Sequence, residues 1–151
     1  MNRTVRLVEE ILAVALLLAA CYPLLYYGPL ADVAVPKHMS GDMIDSYGGR
    51  TIFIWLPVLA VAIYGLLWFA QKHPRFVNLP GVSPEHHDAV SVAVASALKM
   101  WTAALFALLS LGLYGLATGK ILHLPSWWIY GIIAAMTLHV ILLVVMASRK
   151  S

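Results

Sequence analysis

Between Val35 and Arg50 the chain sets Pro36, His38, Asp42, Asp45, Tyr47, Gly48 and Arg50 on one short polar stretch. An imidazole, carboxylates, a phenol and a guanidinium this close together can build a hydrogen-bonded ion-pair network, and a neutral imidazole can also ligate a metal. One histidine with scattered aspartates is a thin ligand set, so a ligand or peptide surface is a stronger functional reading than a metal site, and both stand behind a plain structural role. The plain structural alternative has Asp45, Tyr47 and Arg50 pinning a loop onto neighbouring helix ends, with Arg50 paired to Asp45 or Asp42. Gly48 and Gly49 permit the tight turn that such a loop needs beside a membrane.

A second set lies in apolar surroundings. His139 sits inside a long hydrophobic segment, and Glu9 and Glu10 stand at a matching depth at the start of another. Ionisable groups within a membrane are costly and mark ion or proton pathways, so a His139–glutamate contact is the pattern of a proton relay. The bland reading is a neutral imidazole bonded to Thr137, Ser96 or a backbone carbonyl. It is favoured because no chain of acids continues to the far side. His139 also lacks a second deep histidine, which argues against a bis-histidine haem, and the sequence gives no other reason to expect a cofactor. His86-His87-Asp88 reads as a solvated helix start, since neighbours on a helix point about 100° apart and cannot readily share one ion.

The elements that position these groups follow from composition. Of the 151 residues 62% are hydrophobic and 11% charged, against about 45–50% and about 25% in soluble domains. Lipid must solvate much of this chain. The net charge of +3 comes from cations at segment ends, without the basic stripe that a nucleic-acid partner requires. Cys21 is the single cysteine, so no intrachain disulfide forms. A bilayer core about 30 Å thick takes roughly 20 apolar residues in helical form. Four segments qualify, at about 7–28, 51–70, 98–119 and 127–147. The expected fold is therefore all-α, an integral membrane four-helix bundle in a single domain. Residues 29–50 form a structured extracytoplasmic loop between the first two spans, and 71–97 a cytoplasmic loop.

Orientation follows from the cations. Arg3, Arg6, Lys72, Arg75, Lys99, Arg149 and Lys150 fall on one side, and Lys37, Arg50 and Lys120 on the other. The richer side is cytoplasmic, which puts both termini inside. Leu18-Ala19-Ala20-Cys21 also resembles a lipoprotein signal, but the apolar run continues past Cys21 and favours a retained helix. Pro23 and Pro57, close to span ends, predict bends. Ser83-Pro84-Glu85 predicts the start of a helix that runs on into the third span. Gly115 and Gly119, four residues apart, allow close helix approach, either within the bundle or in a homo-oligomer.

The outer segment carries a family likeness. Val35-Pro36-Lys37-His38, then Gly41, then Asp45-Ser46-Tyr47-Gly48-Gly49-Arg50 running into a helix, resembles the family of unknown function that forms the N-terminal region of SdpI-type bacterial immunity membrane proteins. Asn78-Leu79-Pro80 is similar to a further short motif of that family after its second span. Ala31 and Met39 depart from the pattern, where the family has Pro and Phe, and the spacing around Asp32 and Gly41 differs by about a residue. The resemblance covers about residues 10–80 and implies a multi-pass protein of the bacterial cytoplasmic membrane, with His38, Asp45, Tyr47, Gly48 and Arg50 as the transferable positions. A second domain of the SdpI type is not evident.

No activated serine or cysteine, zinc helix motif or phosphate-cradling glycine loop occurs in the sequence. The expectation is a non-enzymatic binding or regulatory membrane protein that meets a peptide or membrane-protein partner through its outer loop. An accessory subunit of a larger complex and a small proton-coupled transporter are the alternatives.

Overall fold

The computed structural model of the protein describes residues 3–28, 30, 35–40, 43–79 and 81–149, with residues 3, 35–40 and 43–47 described by backbone alone. Four long helices dominate: α1 (Arg3–Cys21), α2 (Ile52–Lys72), α3 (Pro84–Ala117) and α4 (Ser126–Ser148). All four are long and apolar enough to cross a membrane, the first span being extended to Tyr26 by a 3₁₀ turn over Tyr22–Tyr26.

Local chemistry sets the helix limits. Pro23 near the start of that 3₁₀ turn lacks the N–H needed to prolong α1, and its ring is buried. Pro57, by contrast, is absorbed within α2, also buried, and the helix continues beyond it. Ser83 is extended (φ −63°, ψ 148°), Pro84 takes the first helical position and Glu85 lies in the first turn, as the sequence predicts. The 34 residues of α3 make it the longest helix, about 50 Å at the usual rise. Most of the segment expected as the cytoplasmic loop is therefore helix: only residues 73–83 separate α2 from α3.

α3 is the hub. It packs against α1, α2 and α4, whereas α1 and α2 touch each other far less and α4 has α3 as its main neighbour. The reason lies in its small side chains. Ala93, Ala95, Ala97, Ala103 and Ala107 are buried and let neighbouring backbones come close. Ser110 Oγ donates to the Ala20 carbonyl at 2.7 Å, tying α3 to α1. α4 has no buried residue.

Gly112 and Gly115 serve the connection between α3 and α4. A methyl group at Gly112 would come within 2.8 Å of Leu124, and one at Gly115 within 3.1 Å of Ile121. Gly119 adopts φ +68° just past the helix, and the Lys120 amide returns to the Gly115 carbonyl at 2.8 Å. Gly115 is thus buried in the protein's own packing, whereas Gly119 is an exposed helix terminator with open space beside it.

The segment between α1 and α2, expected as a loop, contains an antiparallel hairpin of β1 (Val35–Ser40) and β2 (Met43–Gly48). The register pairs Val35 with Gly48 and Ser40 with Met43, and slips on either side of His38. Pro36 cannot donate to a ladder, which suits an irregular short pair. A lone two-stranded hairpin is marginal in water; here β1 lies against α3. Beneath this end Leu30, Phe53 and Tyr114 form a buried cluster, flanked by Tyr27, Ile52 and Leu113.

Candidate functional site

Two polar groupings stand out, one at each end of the bundle. At the hairpin end, the residues expected to form a site are carried on paired strands: Pro36 lies opposite Tyr47 and His38 opposite Ser46, with Asp45 and Gly48 also on β2. Asp42 and the Asp45 side chain lie outside the described residues, and with them the expected Arg50–aspartate pair. Arg50 itself has another partner. Its Nη1 donates to the Tyr27 carbonyl at 3.0 Å, and its guanidinium stands 4.4 Å from the Tyr27 ring centre. One side chain therefore ties the end of the first span to the start of α2, across the segment that carries the hairpin.

The other grouping lies at the end where α1 begins and α4 finishes. Glu9 and Glu10 are neighbours on a helix, so they face different directions. Glu9 is 5% exposed, and its Oε1 is 4.0 Å from His139 Nε2 on α4. His139 Nδ1 in turn receives the Trp101 indole hydrogen from α3 at 3.1 Å. The sequence offered Thr137, Ser96 or a backbone carbonyl as partner for His139. The structure gives it Trp101, while Thr137 bonds the Ile133 carbonyl and Ser96 Oγ has no hydrogen-bond partner.

Glu10 turns to the other side. Its carboxylate accepts hydrogen bonds from Lys99 Nζ and from the Tyr64 hydroxyl, joining α1, α3 and α2. The Lys99 ammonium also lies 5.0 Å from the centre of the Tyr64 ring. Lys99 is 1% exposed, which sequence reading missed by counting it among the cations at span ends. A signal was available: Lys99 follows a run of small residues, Ser91 to Ala97, of the kind that lines a helix–helix contact.

No protein-family model, curated protein or solved structure matches this chain. What the site can do must come from its own chemistry.

Glu9 Oε2, Ser91 Oγ and Ser96 Oγ are buried without hydrogen-bond partners, so this half of the bundle holds unused polar capacity. Beside it, a cleft of about 430 Å³ opens between α1 and α2, lined by Arg6, Glu10, Trp68, Gln71, Lys72 and Val92. Among the described residues no three His, Cys, Asp or Glu side chains gather around a common point that could hold a metal ion. His86 Nδ1 pairs with Ser83 Oγ at 3.1 Å, and His87 lies 3.6 Å from Asp88. Those histidines form the polar start of α3.

Proposed function

We propose that this chain is a non-enzymatic, multi-pass membrane protein that recognises a peptide or membrane-protein partner through the hairpin of residues 35–48, in the manner of SdpI-like immunity or signalling proteins. One observation carries the reading. The polar segment between the first two spans folds as a strand pair resting on α3, and α3 is the helix against which the other spans pack. A partner bound at the hairpin would press on the one element able to pass the contact to the rest of the bundle. The orientation that goes with this reading has both termini in the cytoplasm of a bacterium and the hairpin outside.

The reading is tested by placing photo-crosslinking residues at Ser40 and Met43 and irradiating native membranes. A discrete crosslinked partner, lost in Asp45→Ala and Arg50→Ala, is the expected result. Crosslinks that are unchanged in both variants would remove the hairpin as the recognition site. Topology reporters fused within the hairpin and at the C-terminus must fall on opposite sides of the membrane.

A second reading, a small proton-coupled transporter, is favoured by the Trp101–His139–Glu9 contact, which spans three helices within the membrane-spanning region. In liposomes loaded with a pH-sensitive dye, His139→Phe should abolish proton flux; equal flux in the variant sinks this reading. An accessory-subunit role draws on α4, which has no buried residue and so leaves most of a long apolar helix for lipid or another protein. Stoichiometric co-purification from native membranes is its test.

A further inference from the structure

We infer that the cleft between α1 and α2 seats the phosphate of an anionic phospholipid. Glu10, the one acid lining the cleft, is already engaged by Lys99 and Tyr64. The remaining charged side chains are Arg6 and Lys72, and among the described residues neither is in an ion pair. The cleft thus carries two cations outside any ion pair, Lys72 also feeling the Glu10 carboxylate at longer range, with the Gln71 amide as a further donor. A guanidinium and an ammonium around one opening suit a phosphodiester, the guanidinium by paired N–H donors and the ammonium as a point charge.

Depth selects the source of that phosphate. From Val92, which lines the cleft, to Gly112, which packs on Leu124 at the other end, α3 rises 20 residues, or about 30 Å, close to one hydrocarbon thickness. With Gly112 near one boundary, the cleft falls at the opposite headgroup plane, where lipid phosphates are concentrated and basic pockets between helices bind them. The Lys99 backbone, seven residues along α3 from Val92, lies about 10 Å further in, and its ammonium meets Glu10 at the cleft wall. Trp68 lines the same cleft, is 49% exposed and has the Lys72 ammonium 5.7 Å from its ring centre. An indole at that level is an interfacial anchor beside which the glycerol and acyl chains can lie. The weak contact between α1 and α2 leaves room for this occupant.

The test uses the full chain in a neutral detergent, titrated with short-chain phosphatidylglycerol, short-chain phosphatidylcholine or inorganic phosphate. Binding is read by thermal stabilisation and by tryptophan fluorescence. Phosphatidylglycerol should bind, with affinity reduced roughly tenfold in Arg6→Gln/Lys72→Gln. Each single substitution should give an intermediate loss, which keeps the test valid even if the double variant folds poorly. Arg6→Lys/Lys72→Arg, which keeps both charges, and Lys120→Gln, at the opposite end, should both bind like the unsubstituted protein. The proposal fails if phosphatidylcholine binds as well as phosphatidylglycerol or if the neutralised variants lose nothing. It also fails if inorganic phosphate at equal concentration stabilises as strongly, since that would make the occupant a free anion.

Discussion

Trp101 donates its indole hydrogen to Nδ1 of His139 across 3.1 Å, and this contact fixes how the imidazole is used. An indole only donates, so Nδ1 is an acceptor and the ring hydrogen is on Nε2, facing Glu9 Oε1 at 4.0 Å. One ring therefore links α3, α4 and α1.

Trp101→Phe keeps an aromatic ring and removes the donor. Interhelical hydrogen bonds in membranes contribute about 0.6 kcal/mol on average and up to about 1.7. Unfolding free energy, measured by titrating the protein from mild detergent into dodecyl sulfate, should fall by roughly 0.5–1 kcal/mol. His139→Phe gives up the Glu9 contact as well and should cost more. Equal losses in the two variants would mean that the Glu9 contact contributes nothing to stability.

Glu10→Gln leaves the Lys99 ammonium 1% exposed beside a neutral amide. Removing one partner of a buried ion pair typically costs about 3–5 kcal/mol, because the other charge is stranded. The Glu10 side chain is 34% exposed, so the loss should fall toward the lower end of that range. The same unfolding titration should show Glu10→Gln/Lys99→Met recovering most of the loss, since the double variant strands no charge. A double variant less stable than Glu10→Gln alone would contradict this account of the pair.

Gly112→Ala tests the packing of α3 against its connection to α4. The added methyl would sit 2.8 Å from Leu124 Cδ1, so the buried Leu124 side chain must turn aside to admit it. Overpacking of this kind costs typically about 1–3 kcal/mol. Gly131→Ala meets nothing within 4 Å and should be close to neutral. Adding Leu124→Ala to Gly112→Ala should remove the steric part of the penalty, which a melting-temperature series resolves.

The helical frame could be read in advance because hydrocarbon imposes it: an apolar run of some 20 residues in lipid has few alternatives to helix. The start of α3 at Pro84 was legible for the same kind of reason, a cap, a proline and an acid in sequence. The hairpin was not. Val35-Pro36-Lys37-His38-Met39-Ser40 shows no clean alternation, and its proline speaks against a regular strand. The Lys99–Glu10–Tyr64 contact was hidden for another reason. It joins residues 54 and 89 positions apart in the chain, and only the packing order of the helices brings them together. Counting Lys99 as a boundary cation followed a sound statistical rule, but this lysine lies inside the bundle with its counter-ion.

The Arg50–Tyr27 contact makes the last prediction. Tyr27 lies before the hairpin segment and Arg50 just after it, so the hydrogen bond from Nη1 to the Tyr27 carbonyl closes the base of the hairpin loop. A hydrogen bond from a charged donor is worth about 1.5–3 kcal/mol, and the half-buried Arg50 should lie near the lower figure. Arg50→Gln should therefore speed amide exchange along β1 and β2 by roughly tenfold, while α3 near Ala103 and Ala107 keeps its protection. Arg50→Lys keeps the charge but loses the flat group that lies over the Tyr27 ring, 4.4 Å from its centre, and should fall between the two. Uniform exchange across the three proteins would show that the hairpin is held by its rest on α3 alone. In that case any effect of Arg50 substitutions on partner binding would have to come from direct contact with the partner.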